Sequence, residues 1–390
     1  MNDFTKAQLV AITIAPLITG CISAILSSTI ITMILRSRLK LSTIYRRLIF
    51  AISVIDLILS LAQGISAFAM PAGTTWAAIG NDTTCEIVAF VGTVTIGSAI
   101  WYSLSLSIYF VSVIKFEMRE TEIRKRVEPF LHAFPIVYSL AVSVCIYATH
   151  NYGSDGVVCW INQEAPIMMW VATGLPILFT LIGNCILMGV IWRTVHIQSK
   201  KSQMYRPVHS AISTPISTQQ VGEERKKSSK TGCFCALSGR KQPAETLSPL
   251  AARLSRPSKA TIRRLKDISN RAIAFFVGFI LTYMFPFIRQ IMHRHGEAPY
   301  VLIFLSRSIF PLQGLFNILV YTYPHVSSYL RNHPEDSWIR AFLEVIKSGG
   351  DDDQNRTSRR NRGSNVFAAG SPSSRRSTRN EPVVLDIDTV

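Results

Sequence analysis

The chain has 390 residues and a formal net charge of +17, with 48% hydrophobic but only 17% charged residues, and its mean hydropathy is +0.27. So few charges and so much apolar content exclude an ordinary soluble domain, and the charge is uneven: apolar runs nearly free of Asp, Glu, Lys and Arg alternate with basic connectors. Runs of about 20 apolar residues suit helices crossing a hydrocarbon core of about 30 Å, so the anion that balances the connectors is membrane lipid of the cytoplasmic leaflet, and nucleic acid is not expected as a partner.

The first predicted span runs from Leu9 to Leu35, after a short segment 1–8, and is too long for a signal-peptide core. Arg36, Arg38, Lys40, Arg46 and Arg47 follow it. The second span runs from Leu48 to Met70, and a loop with Trp76 and Asn81 leads to the third, Cys85 to Ile114. Lys115 to Glu128 is a charged loop. The fourth span starts at Pro129, a residue suited to a first helical turn, and ends near Tyr147. After the loop His150 to Glu164 comes the fifth span, Ala165 to Trp192, so residues 9–193 hold five spans. Residues 194–268 form a long basic third loop too polar to bury a core and expected to be mostly disordered; its end, Ser258 to Arg271, extends the sixth span as a helix. Residues 269–323 hold spans six, Ala272 to Met292, and seven, Tyr300 to Tyr323. In 334–347, Trp338, Ile339, Phe342, Leu343 and Ile346 share a helical face, which predicts an amphipathic helix on the membrane surface, with docking of that face on the bundle as the alternative. The tail, 349–390, is Arg/Ser-rich and expected to be disordered.

The expected fold is therefore an all-α membrane protein, a seven-transmembrane helix bundle, since an open strand cannot satisfy its backbone in lipid. The loops after spans one, three and five are rich in Lys and Arg, whereas those after two and four have none and that after six has Arg294. The positive-inside rule then places the N-terminus outside and the C-terminus in the cytoplasm, as in a multi-pass plasma-membrane protein.

Several residues carry possible chemistry. Cys85 and Cys159 lie on the outer side, where a disulfide persists; a bond and two free thiols both remain open. Cys21, Cys145 and Cys185 read as packing residues, and cytosolic Cys233 and Cys235 as palmitoylation sites or free thiols. Asn81-Asp82-Thr83 is an outer glycosylation sequon. Asp56 lies deep in span two, where a carboxylate is costly and faces the bundle interior, as a conformational ion or proton site or as a protonated group bonded to a neighbour. Arg289 and Arg307, with Glu86 and Glu164, converge on the outer mouth. They could hold a polar or anionic ligand, or pair internally. Pro176 and Pro286 are hinges or fixed kinks of spans five and six. Arg375-Arg376-Ser377 suits a basophilic kinase, and Asp388-Thr389-Val390 suits capture by a PDZ-type domain. No lysine stands in span seven for a retinal Schiff base, and the histidines do not cluster as a zinc hydrolase requires. No cofactor, metal or enzymatic activity is expected. No internal repeat is visible, which counts against a transporter, the alternative along with a channel.

Together these features resemble a G-protein-coupled receptor from Leu9 to Lys347, the third loop excepted. The stretch Pro311-Leu-Gln-Gly-Leu-Phe-Asn317-Ile-Leu-Val-Tyr321 resembles one in cyclic-AMP-receptor-like receptors and, more distantly, the Gln-Gly motif of the secretin-like class. Ser53-Val-Ile-Asp56-Leu looks like the acidic motif of rhodopsin-like receptors, and Cys85 and Cys159 match the family's loop disulfide. The chain departs from the rhodopsin-like pattern in three places. Tyr109-Phe-Val-Ser-Val-Ile-Lys115 stands where Asp-Arg-Tyr would, span seven lacks Asn-Pro-x-x-Tyr, and Tyr283-Met-Phe-Pro286 lacks the usual Trp. The resemblance implies an extracellular ligand, a heterotrimeric G-protein partner and a switch through Asp56, Pro286, Gln313, Asn317 and Tyr321. It further implies a G-protein face with Lys115, Phe116, Arg119, Arg126, Arg193 and Arg264.

Overall fold

The computed structural model describes residues 4–154, 156–162, 164–204, 259–293 and 299–348. Seven helices among the described residues are long and apolar enough to cross a membrane: Lys6–Arg36, Ile44–Ile65, Asp82–Ile114, Glu120–Ala148, Pro166–Lys200, Leu265–Met292 and Tyr300–Asn332. They are called spans one to seven. The chain divides into two compact units. One, Arg193–Lys266, contains the continuation of the fifth-span helix to Met204 and the start of the sixth-span helix at Lys259. The other, Met1–Trp192 with Asp267–Val390, carries the bundle. The middle of the long third loop, with Cys233 and Cys235, and the tail, with Ser377 and Val390, lie outside the described residues, as does Arg294.

Local chemistry sets the ends of the spans. Thr5 and Gln8 exchange hydrogen bonds in a capping box at the start of span one. Thr43 caps span two, so this helix starts earlier than its apolar run and ends at Ile65. Past it the chain turns back, and Gly80 N donates to Met70 O at 2.9 Å. Asn81 and Thr84 cap span three reciprocally. The charged loop before Pro129 is helical. Glu120 and Glu122 occupy the first turn of Glu120–Arg126, and Arg124, Lys125 and Arg126 the last, which matches the helix dipole. A break at Val127 separates it from Glu128–Ala148.

Two further spans depart from regular helix. In span five a wide turn, Trp170–Gly174, separates Pro166–Met169 from Leu175–Met204; Pro176, just beyond it, has no N–H to close the ladder over these residues. Span seven tightens over Phe310–Leu312, around Pro311, between Tyr300–Ile309 and Gln313–Asn332. Pro286 lies inside an uninterrupted helix.

Helices in lipid cannot gain by hiding apolar faces from one another, so small residues and polar contacts decide where they meet. A Cβ on Gly20 of span one would stand 2.7 Å from Ser60 O of span two. One on Gly314 of span seven would stand 2.4 Å from Ser27 Oγ and 2.6 Å from Ser23 Oγ of span one. Apolar side chains at three- and four-residue spacing stay exposed: Ile18, Ile22 and Ile25 on span one, and Val137, Leu140 and Val144 on span four. Such stripes suit acyl chains. The interior core joins spans two, three, five, six and seven through Leu59, Ile100, Ile177, Phe279, Tyr283 and Phe310.

At one end of the bundle Tyr152–Ser154 and Cys159–Ile161 form an antiparallel hairpin within the stretch read from sequence as a loop. Cys85 and Cys159 are joined in a disulfide that ties this hairpin to the start of span three. Tyr152 fills the space beneath it against Phe90, and burial holds its phenol above the ordinary value. This is the disulfide end; the opposite end of the bundle carries the basic connectors after spans one and three.

After span seven, Trp338–Ser348 forms a short helix. Ala341 and Val345 face inward, while Ile339 and Leu343 are 68% and 52% exposed. The helix therefore has a packed edge, formed by Ala341 and Val345 rather than by the apolar face read from the sequence, and an apolar outer edge. Asp336 precedes it, accepting from Tyr329 Oη at 3.0 Å and pairing with Arg340 at 3.1 Å.

Candidate functional site

At the disulfide end a cavity of about 120 Å³, open on one side, lies between spans two, three, five, six and seven. Span six contributes Tyr283, Pro286, Arg289 and Gln290, a spacing of three and four residues that keeps them on one helical face. Span seven contributes Ser306, Arg307 and Phe310, span five Met169, Thr173 and Ile177, and spans two and three Gln63 and Ile96. Val158 and Trp160 close it from the hairpin, placed there by the neighbouring disulfide. Arg307 is 7% exposed and Arg289 half-buried.

The wide turn of span five shapes one wall. Gln290 Nε2 donates to Met169 O at 3.1 Å, and Thr173 Oγ1 lies 3.2 Å from Gln290 Oε1, so spans five and six are cross-linked where the helix is widest. Gly174 has room for no side chain there, since a Cβ would stand 2.4 Å from the Trp170 ring. Trp170 meets Phe287 edge-on at 6.3 Å.

Of the four residues expected at the mouth, the structure brings Arg289 and Arg307 to one cavity and leaves Glu86 and Glu164 out of its lining. On span three the inward positions go to Cys85 and Ala89, which turns Glu86 to the side, half-buried. Glu164 is exposed in the loop before Pro166. Gln63, Trp160, Thr173 and Gln290 carry no cue in the sequence, because neutral polar residues and aromatics are common in spans and outer loops alike. The spacing of Gln290 from Tyr283 and Pro286 was the one available signal.

Tyr283 leads from this cavity inward. Its hydroxyl donates to Gln313 Oε1 at 2.9 Å. Gln313 and Asn317 both line a smaller internal space with Ser103 and Thr282. Asn317 Nδ2 donates to Asp56 Oδ2. Asp56 is fully buried, and its Oδ1 has no hydrogen-bond partner among the described residues. Beside them Gly314 N donates to Ser23 Oγ at 3.0 Å, and Ser60 Oγ lies 2.9 Å from Ser23 Oγ. The tight turn at Pro311 thus gathers Gln313, Gly314 and Asn317 against spans one, two and six. Of the expected switch residues, Asp56, Gln313 and Asn317 meet here. Pro286 lines the outer cavity instead, and Tyr321 is buried one turn further on, its ring 6.1 Å from His325.

At the basic end Lys115, Phe116, Arg119 and Arg126 are exposed on the connector between spans three and four, Phe116 at 65%, and Arg126 pairs with Glu122 at 3.6 Å. Arg193 and Arg264 belong to the other unit; Arg193 is exposed, and the side chain of Arg264 lies outside the described residues. Where the Asp-Arg-Tyr motif is missing, Tyr109 instead stacks with Tyr45 of span two at 6.4 Å, and the Arg271 guanidinium of span six stands 5.9 Å from the Tyr45 ring. Next to this cluster Arg47 Nη2 donates to Glu128 Oε2 at 2.8 Å, His132 Nε2 lies 3.8 Å from Glu128, and His132 Nδ1 lies 3.1 Å from Tyr102 Oη. Glu120 Oε1 accepts from Ile44 N at 3.1 Å. Neither group was read from the sequence, since its members are far apart in the chain. Asn81 is exposed, with its side chain capping span three.

No protein-family model and no curated protein matches the sequence. Among solved structures, squid rhodopsin is similar in fold, with a TM-score of 0.53 over 96% of this chain and 95% of that chain at 12% identity. The chain therefore has the rhodopsin-like seven-helix membrane fold. At this identity the likeness carries the fold alone, and span seven, Tyr300–Asn332, contains no lysine.

Proposed function

We propose that this protein is a G-protein-coupled receptor whose ligand occupies the cavity lined by Arg289 and Arg307. The observation that carries the reading is the position of Tyr283. Its ring lines the cavity, and its hydroxyl bonds Gln313, which shares the inner space with Asn317, the partner of Asp56. A ligand that moves span six at Tyr283 acts on a buried polar network that holds spans one, two and seven together. To favour the active arrangement it binds that arrangement more tightly than the resting one. A heterotrimeric G protein then docks at the basic end, where Lys115, Phe116, Arg119 and Arg126 are exposed. The disulfide and the basic connectors lie at opposite ends, which supports an extracellular N-terminus and a plasma-membrane location. The reading extends to glycosylation at Asn81, phosphorylation at Ser377 and a PDZ-type partner at Val390. The finer placement beside the cyclic-AMP-receptor-like receptors rests on the Pro311–Tyr321 stretch alone.

The test is nucleotide exchange on a panel of G proteins with the full chain in nanodiscs. Exchange is expected to accelerate for at least one of them, and Tyr283→Phe is expected to weaken the ligand response while leaving binding nearly intact. Absence of acceleration with every G protein, for wild type and constitutively active variants alike, removes the receptor reading. Solute or ion flux from proteoliposomes without a G protein supports a transporter or channel instead.

A further inference from the structure

We infer that the ligand of this cavity is an amphiphilic oxyanion: a carboxylate or phosphate monoester head on an apolar body. The inference rests on the cavity being the ligand site of the proposed receptor. Arg289 and Arg307 enter the lining from adjacent spans, and among the described residues no Asp or Glu lines it. Arg307 sits almost wholly out of water, where charge is screened poorly and an added anion is held more strongly than at a surface. A guanidinium has five donors in a fixed fork, enough to hold a protein group and an oxyanion together. That fork matches carboxylate and phosphate geometry. A cationic head gains nothing from such donors, and a neutral one gains less than an oxyanion.

The remaining polar groups argue against a ligand with many hydroxyls. Gln290 is engaged with Met169 and Thr173, Tyr283 donates to Gln313, and Ser306 Oγ donates to Ile303 O. Gln63 apart, the rest of the wall is apolar, with Ile96, Ile177 and Phe310 from three spans and Trp160 from the hairpin. A bare inorganic anion or a short acid leaves that wall in contact with water, whereas an apolar body removes it.

The full chain in nanodiscs is exposed to decanoate and decyl phosphate, with decanol and decyltrimethylammonium as head-group controls and acetate and inorganic phosphate as heads without a body. Empty nanodiscs account for partitioning into lipid. Saturable binding is expected for decanoate, decyl phosphate or both, and the stronger of the two names the head. Arg289→Gln and Arg307→Gln are each expected to weaken it by about ten- to a hundredfold, as for loss of a charge-assisted hydrogen bond. Arg307→Lys, which keeps the charge and loses the fork, is expected to fall between. Unliganded unfolding temperatures show that each variant is folded, and Arg289, being less buried, supplies the readout if Arg307→Gln fails that check. The inference is overturned if neither anion binds saturably, if decanol binds as tightly as the anions, or if every folded arginine variant binds like wild type. Exchange is measured on the same nanodiscs. Anion binding without any G-protein exchange sinks the receptor reading and leaves the site; exchange without anion binding does the reverse.

Discussion

Asp56 is the residue on which the interior depends most. Burying a carboxylate in a membrane bundle is unfavourable, and Asn317 provides its hydrogen bond. Replacing Asn317 with Leu leaves a buried acceptor unpaired, which costs about 1–3 kcal/mol. The expected outcome is a lower unfolding temperature in detergent. Asp56→Leu/Asn317→Leu is expected to recover part of the loss, because removing both partners leaves no orphan. Equal stability of Asn317→Leu and wild type would show that the bond contributes nothing. Gly314 makes a separate demand. A single methyl there meets Ser23 and Ser27, whereas a Cβ on Gly189 meets nothing within 4 Å. Gly314→Ala is therefore expected to lower the unfolding temperature markedly, and Gly189→Ala to leave it close to wild type. Similar effects from both would mean that helix propensity, not interhelical fit, sets the response.

Between elements, the basic end is fastened by a polar chain that the sequence conceals. Arg47 of span two meets Glu128 of span four, with side-chain exposures of 21% and 12%. Breaking such a partly buried pair on one side strands a charge, whereas removing both ends is milder. Arg47→Met is expected to destabilise the bundle more than Arg47→Met/Glu128→Gln, a cycle read by thermal unfolding. Additive losses would remove the coupling. The pair joins helices 81 residues apart in the chain, which is why no local pattern announced it. The same holds for the wide turn at Trp170–Gly174. Pro176 marks span five as irregular, but the place where the ladder opens is fixed by Thr173, Gln290 and the packing of Trp170 against Gly174. By contrast, the spans themselves were legible, because the hydropathy of each run reflects the one solvent that all of them face. The ends were less so: caps such as Thr43 and the charge-matched helix before Pro129 extend helices beyond the apolar residues.

For the whole molecule, membrane orientation ties the candidate site to the proposed function. The cavity and the disulfide share one end, and the exposed Lys115, Arg119 and Arg126 lie at the other. The sequence put Arg289 and Arg307 at the disulfide end through topology alone. It could not sort them from Glu86 and Glu164, because that depends on which face each helix turns inward. A disulfide persists where the compartment is oxidising, and basic connectors are retained on the cytoplasmic side. The two arguments support the proposed orientation independently of each other. In intact cells, an epitope added before Met1 is therefore expected to bind antibody, and one added after Val390 only after permeabilisation. Cys85→Ser/Cys159→Ser is expected to loosen Trp160 over the cavity, so that bound ligand leaves faster while the unfolding temperature of the bundle changes less. If the C-terminal epitope is accessible in intact cells, the cavity opens to the cytoplasm. An extracellular signal could then no longer reach it, however well the residues around it bind an anion.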